Sequence, residues 1–120
     1  MSTRSLRIIA AAAFALLMPV VALAHAHPKV MDPAPGATVT APKHVSIVFS
    51  EALDPKFSSL HLTRQSGQAV GTTSSKVAAD DPKHMTLDLP MLSPGVYVVH
   101  WVSVATDGHR LEGSYDFTVK

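Results

Sequence analysis

From His25 to Lys120 no window of a dozen residues repeats its apolar positions at helical spacing, and proline and glycine interrupt the chain at short intervals. A chain cut in this way cannot build long helices, which leaves short extended segments joined by turns. Val45, Ile47 and Phe49 alternate with Ser46 and Ser50, the two-residue period of a half-buried strand. Leu60 to Thr63 is a second short strand, and Met85, Leu87 and Leu89 alternate with Thr86 and Asp88 as a third. Val96 to Val104 is the strongest segment. Tyr97, Val99, Trp101 and Ser103 fall on one face, with Val98, His100, Val102 and Val104 on the other, which predicts a central strand covered on both sides. Pro94-Gly95 opens it and Asp107-Gly108 closes it. The last strand sets Tyr115, Phe117 and Val119 against Ser114, Asp116 and Thr118. Such a series predicts an all-β fold, an antiparallel sandwich or small barrel. Four prolines between Pro28 and Pro42 keep that stretch extended or turning, and Ser66 to Ser75 reads as a surface loop. No repeat or linker divides the chain further.

The first 24 residues belong to a different category. Arg4 and Arg7 precede an apolar run from Ile8 to Leu23, and Ala22-Leu23-Ala24 supplies the small residues of a cleavage site. This is the pattern of a signal peptide, residues 1–24, cleaved after Ala24. The alternative is a retained anchor, but the run falls short of the roughly 20 residues a membrane span needs. Cleavage leaves residues 25–120 as one exported domain, expected in the periplasm. That part carries eight basic and nine acidic residues, a formal charge of −1. Such a balance predicts no nucleic-acid partner and no stable membrane association after cleavage. Cysteine is absent. The domain must therefore be held by its apolar core alone, and thiolate ligation and cysteine nucleophiles are excluded.

All seven histidines lie between residues 25 and 120. Without thiolate, imidazole and carboxylate are the main transition-metal ligands left. The cleaved chain begins His25-Ala26-His27-Pro28, and a terminal histidine offers a metal its α-amine and its imidazole Nδ1 in one chelate ring. That pair suits the tetragonal geometry of Cu(II). An α-amine ordinarily titrates near pH 8, so binding displaces a proton and weakens with acid. The alternative is a histidine that merely follows the cleavage site. Asp107-Gly108-His109 is first of all a hairpin-turn signal. It also sets a carboxylate and an imidazole two residues apart at one end of the sheet, and these would complete a four-donor set with His25. His27 offers a competing chelate built from the amine, two deprotonated amides and its own ring, since Pro28 follows and leaves both amides available. In a folded site His27 would instead be an axial or outer neighbour. His44 and His84 follow turn residues and read as solvated. His61 and His100 lie within strands and read as packing or solvent-facing. Met31, Met85 and Met91 are scattered, without the clustering of a Cu(I) site.

With these stretches in view, the chain resembles the CopC family of periplasmic copper-resistance proteins, including its YobA-type members. The resemblance rests on His25-Ala26-His27-Pro28-Lys29, Val48-Phe49-Ser50-Glu51, and Pro94 to Trp101 with its Pro-Gly-Val-Tyr-Val-Val-His-Trp order. It continues through Asp107-Gly108-His109 and the ending Gly113 to Lys120, so it spans nearly all of residues 25–120. It implies a Greek-key β-barrel or sandwich, immunoglobulin- and cupredoxin-like. It also implies one Cu(II) per chain held by His25, Asp107 and His109, in a monomer that hands copper to a CopD-like inner-membrane transporter. Some members carry a methionine-rich loop for Cu(I). Residues 64–83, the corresponding region here, contain no methionine, which points to a Cu(II)-only member. His100 stands where an acidic residue is common in the family, and the sequence assigns it no role.

The leading expectation is a copper carrier or buffer that is not an enzyme. A histidine-brace copper oxygenase shares the terminal histidine and second imidazole. Against it, the domain offers little polymer-binding surface, and Asp107 would occupy a position oxygen needs. A metal-free immunoglobulin-like interaction module is the third possibility.

Overall fold

The structure, a computed structural model, describes residues 25–120; the expected signal peptide, residues 1–24, lies outside them. Among the described residues nine strands form: β1 Pro28–Asp32, β2 Thr38–Val39, β3 His44–Phe49, β4 Ser59–Arg64, β5 Ala69–Val70, β6 Lys76–Val77, β7 His84–Asp88, β8 Gly95–Val104 and β9 Arg110–Val119. They make two sheets, ordered β1-β3-β7-β6 and β2-β9-β8-β4-β5. Neighbours within a sheet are often distant in sequence, as in β1 with β3, β3 with β7 and β4 with β8. These are the crossing connections of a Greek key. The fold is thus the expected all-β sandwich.

Alternation explains which face of each strand turns inward. Val45, Ile47 and Phe49 of β3 are buried, and from the other sheet Tyr97 and Val99 of β8 and Phe117 of β9 meet them. The Tyr97 and Phe117 rings stack with centroids 5.8 Å apart. Each such side chain contributes about 1.5–3 kcal/mol by leaving water, and with no disulfide this burial carries the domain. Trp101 also faces inward, its ring 5.9 Å from that of Phe49. Directly across from it in β9 stands Gly113. A Cβ there would lie 2.5 Å from the indole, so the glycine makes room for the tryptophan.

Four local expectations differ from what the chain does. β8 is central in its sheet, between β9 and β4, but only its Tyr97–Ser103 face packs against the opposite sheet. Val98, His100 and Val102 are half-buried by lateral neighbours on an outer face. The proline-rich start is not merely extended: it forms β1 and β2, since proline is tolerated at the first residue and edge of a strand. β2 runs parallel to β9, an exception to the antiparallel pairing. The Ser66–Ser75 loop contains the two-residue strand β5, paired with β4.

The β8–β9 hairpin and the start of β1 define the region of interest. At the hairpin Ala105 N–H donates to the His109 carbonyl at 2.9 Å and Gly108 N–H to the Ala105 carbonyl at 2.8 Å. Gly108 has φ of +92°, the left-handed region in which glycine lacks the Cβ penalty.

Candidate metal centre

His25, ahead of β1, is held by its own carbonyl and by the backbone of the two residues that follow it. Ala26 is completely buried, and its carbonyl accepts a 2.7 Å hydrogen bond from the hydroxyl of Ser103, itself fully buried in β8. Ser50, just past β3, works on both flanking histidines. Its hydroxyl donates to the His25 carbonyl at 3.0 Å and accepts from the His27 N–H at 2.9 Å. The Ser50 N–H then donates to the His27 carbonyl at 2.8 Å. The strand-like entry of the chain is therefore pinned before β1 begins.

This anchoring brings His25 to the hairpin. Its ring meets that of His109 edge to face, with centroids 5.2 Å apart and planes at 85°. The His27 ring stands 6.0 Å from that of His25 on the exposed side. In the hairpin, Asp107 Oδ1 accepts the His109 N–H and Oδ2 meets His109 Nδ1, each at 3.0 Å. The backbone N–H of His109 is the main reason that the Asp107 carboxyl titrates below its ordinary range. The side-chain bond to His109 and the nearby imidazoles of His109 and His25 add to it, against a small opposing desolvation. Asp107 is therefore an anion across the neutral range. With Nδ1 of His109 turned to this carboxylate, Nε2 is the nitrogen left free, an arrangement common where a carboxylate orients a metal-binding imidazole.

The three residues singled out from the sequence, His25, Asp107 and His109, thus meet at one end of the sandwich, with His27 alongside. Among the described residues no three donors already converge with metal-ligating geometry. Asp107 keeps a lone pair on each oxygen beyond its two bonds to His109, so it can meet an ion directly or act on it through that ring. The site is also open. A cavity of about 380 Å³ lies beside the hairpin, lined by Asp54, Phe57, Thr106 and Arg110, and none of the three donors lines it.

Sequence reasoning missed Ser50 and Ser103 as the residues that aim His25. Ser103 carried a signal, a hydroxyl on the apolar inward face of β8, whereas Ser50 stood out only by its place at a strand end within the Val48-Phe49-Ser50-Glu51 stretch. His84 differs from its expected solvated turn: it opens β7, and its Nε2 lies 2.6 Å from Ser46 Oγ.

Comparison with known proteins agrees with this architecture. The family model for the CopC domain matches residues 29–120. The chain is 37% identical over 99 residues to the Escherichia coli K12 protein YobA, covering 81% of this chain and 80% of that one. It is 40% identical over 108 residues to copper resistance protein C of Xanthomonas campestris pv. juglandis, covering 82% and 84%. Among solved structures it is similar to CopC from Methylosinus trichosporium OB3b, with a TM-score of 0.75 and 36% identity over 80% of this chain and 94% of that one.

Proposed function

The chain belongs to the CopC family, and from that premise we propose that it binds copper as Cu(II), one ion per chain, at His25, Asp107 and His109. The reading includes removal of residues 1–24 on export to the periplasm, which turns the amide of His25 into a free amine. The metal then gains the amine and imidazole of His25, an imidazole from His109, and the carboxylate of Asp107, directly or through His109. The observation that carries this is the 5.2 Å approach of the His25 and His109 rings across residues 84 positions apart in sequence. The donors themselves fit the ion: nitrogen and carboxylate oxygen are what tetragonal Cu(II) prefers, and an anionic ligand favours the oxidised state.

The local chelate through His27 is disfavoured by the same contacts. It would need to deprotonate and wrap the amides of Ala26 and His27 around the metal. Ala26 is buried, and the His27 N–H is engaged by Ser50, so wrapping would pull the chain out of the sandwich. His27 is left as an axial or outer neighbour. The role is carriage or buffering without catalysis. Asp107 and His109 are exposed, so a partner such as a CopD-like inner-membrane transporter could take the ion by ligand exchange, and a monomer suffices for this.

The test is electron paramagnetic resonance of the protein beginning at His25, titrated with Cu(II). The expected spectrum is a single tetragonal species saturating at one equivalent, with affinity lost in the Asp107→Ala, His109→Ala double variant. Tight binding that survives in that variant would assign the metal to the local His27 chelate instead.

A further inference from the structure

The β4–β8 pairing creates a second set of imidazoles, away from the terminal site. His61 stands directly across from His100. The alternation that buries Leu60 and Leu62 sends His61 outward, and the one that buries Tyr97 and Val99 does the same for His100. Directly opposed residues of an antiparallel pair hold their Cβ atoms about 4.5–5.5 Å apart. The two rings accordingly lie face to face, with centroids 4.9 Å apart and planes at 11°.

Stacking alone is an ordinary packing outcome for two flat rings. Three further features give this pair a different meaning. First, His100 is oriented, because its Nε2 lies 2.9 Å from Thr63 Oγ1. When Nε2–H donates to that hydroxyl, the lone pair sits on Nδ1, as it does in metal-binding histidines fixed by an outer partner. Second, both rings face a cavity of about 310 Å³ that Glu112 and Ser114 also line, so a carboxylate and a hydroxyl share the same space. Third, burial and then the neighbouring His61 hold the His100 imidazole below its ordinary range. His100 thus offers a lone pair more readily than an ordinary imidazole does.

We propose that His61 and His100 form a cross-strand site for a borderline divalent transition metal, Cu(II), Zn(II) or Ni(II), in which the exposed His61 ring turns out of the stack so that its in-plane lone pair converges with that of His100, with Glu112 or solvent completing the coordination. Imidazole is the ligand these ions share, and their affinities differ in the usual order with Cu(II) highest. Glu112 is engaged by Arg110 at 3.0 Å, so its recruitment exchanges one exposed ion pair for a metal bond. The site lacks a chelating amine and is therefore weaker than the terminal one. It sits four residues along β8 from the hairpin, about 13 Å at the rise of a strand. It depends on no part of the terminal-histidine reading.

Isothermal calorimetry of Cu(II) into the protein beginning at His25 tests it, beside His61→Ala, His100→Ala and the double variant. His61 is exposed, so its removal leaves the fold intact even if His100→Ala disturbs it, and circular dichroism checks both. The expected result is a second, weaker binding step that either single change weakens by about tenfold or more and the double change abolishes, with the first step unchanged. A titration in which no binding step is weakened by the double variant overturns the proposal. Loss of the first step alone bears on the terminal site and not on this one.

Discussion

One hydroxyl, that of Ser50, sets where His25 and His27 stand, donating to one backbone and accepting from the other. Replacing Ser50 by Ala leaves all the proposed metal donors in place and removes what aims the first of them. Such outer contacts are worth roughly 10–100-fold in metal affinity. Ser50→Ala is therefore expected to weaken Cu(II) binding within that range and to lower unfolding stability by only about 1 kcal/mol. Competition against a chelator of known strength and urea unfolding read the two quantities separately, and unchanged affinity would show that Ser50 positions nothing. A second residue speaks to the core. The Tyr115 hydroxyl is buried and finds no hydrogen-bond partner among the described residues. Burial, and after it the Asp32 carboxylate, push its pKa up to about 12. The unfolded chain ionises it near pH 10, so its contribution to stability is whole below about pH 10 and is lost as pH rises toward about 12. Tyr115→Phe should remove that part of the alkaline decline. Because it also removes an unsatisfied hydroxyl, it should hold or raise stability at pH 7, by up to about 1 kcal/mol. An undiminished alkaline decline, measured by unfolding at several pH values, would contradict this.

Among the elements, those with strong alternation were legible in the sequence and the short ones were not. β3, β7, β8 and β9 carry apolar residues at every second position, and that pattern alone identified them. β1 was hidden because its Val30 is exposed and its residues follow no inward stripe. β2, β5 and β6 are two residues each, too short for any period, and exist because a longer partner supplies the hydrogen bonds. The outer face of β8 differs for a related reason: Val98 and Val102 are apolar yet only half-buried, on a strand flanked by β4 and β9. The Trp101–Gly113 pair, legible only once register is known, yields the prediction at this scale. A methyl at position 113 would stand 2.5 Å from the indole, and a rigid ring wedged against Phe49 cannot yield cheaply. Gly113→Ala is expected to cost about 1–3 kcal/mol, the usual range for an overfilled core. Thermal unfolding checks it, and a variant as stable as the parent would show that the ring has room to move.

At the scale of the whole molecule, the fold brings together residues that lie far apart in sequence. His25, Asp107 and His109 were nameable from the sequence because each has a chemical peculiarity: a position after a cleavage site, or a carboxylate and imidazole sharing one turn. Their meeting was not derivable from spacing. It follows from β1 pairing with β3, which carries the start of the chain along one sheet, and from Ser103 of the other sheet capturing Ala26. Sequence alone likewise left open whether His27 competes, because the local chelate needs only free amides, and only the packed structure engages them. The opposition of His61 and His100 was invisible for the same reason, being a matter of strand register. The proposed Cu(II) site stands on the terminal amine of His25. One added residue ahead of His25 turns that amine into an amide while leaving every side chain and every sheet contact unchanged. Cu(II) affinity of the two forms, measured side by side at pH 7, is predicted to fall by more than the roughly 10–100-fold that losing an outer contact costs. Equal affinity in the two forms would contradict a site built on that amine.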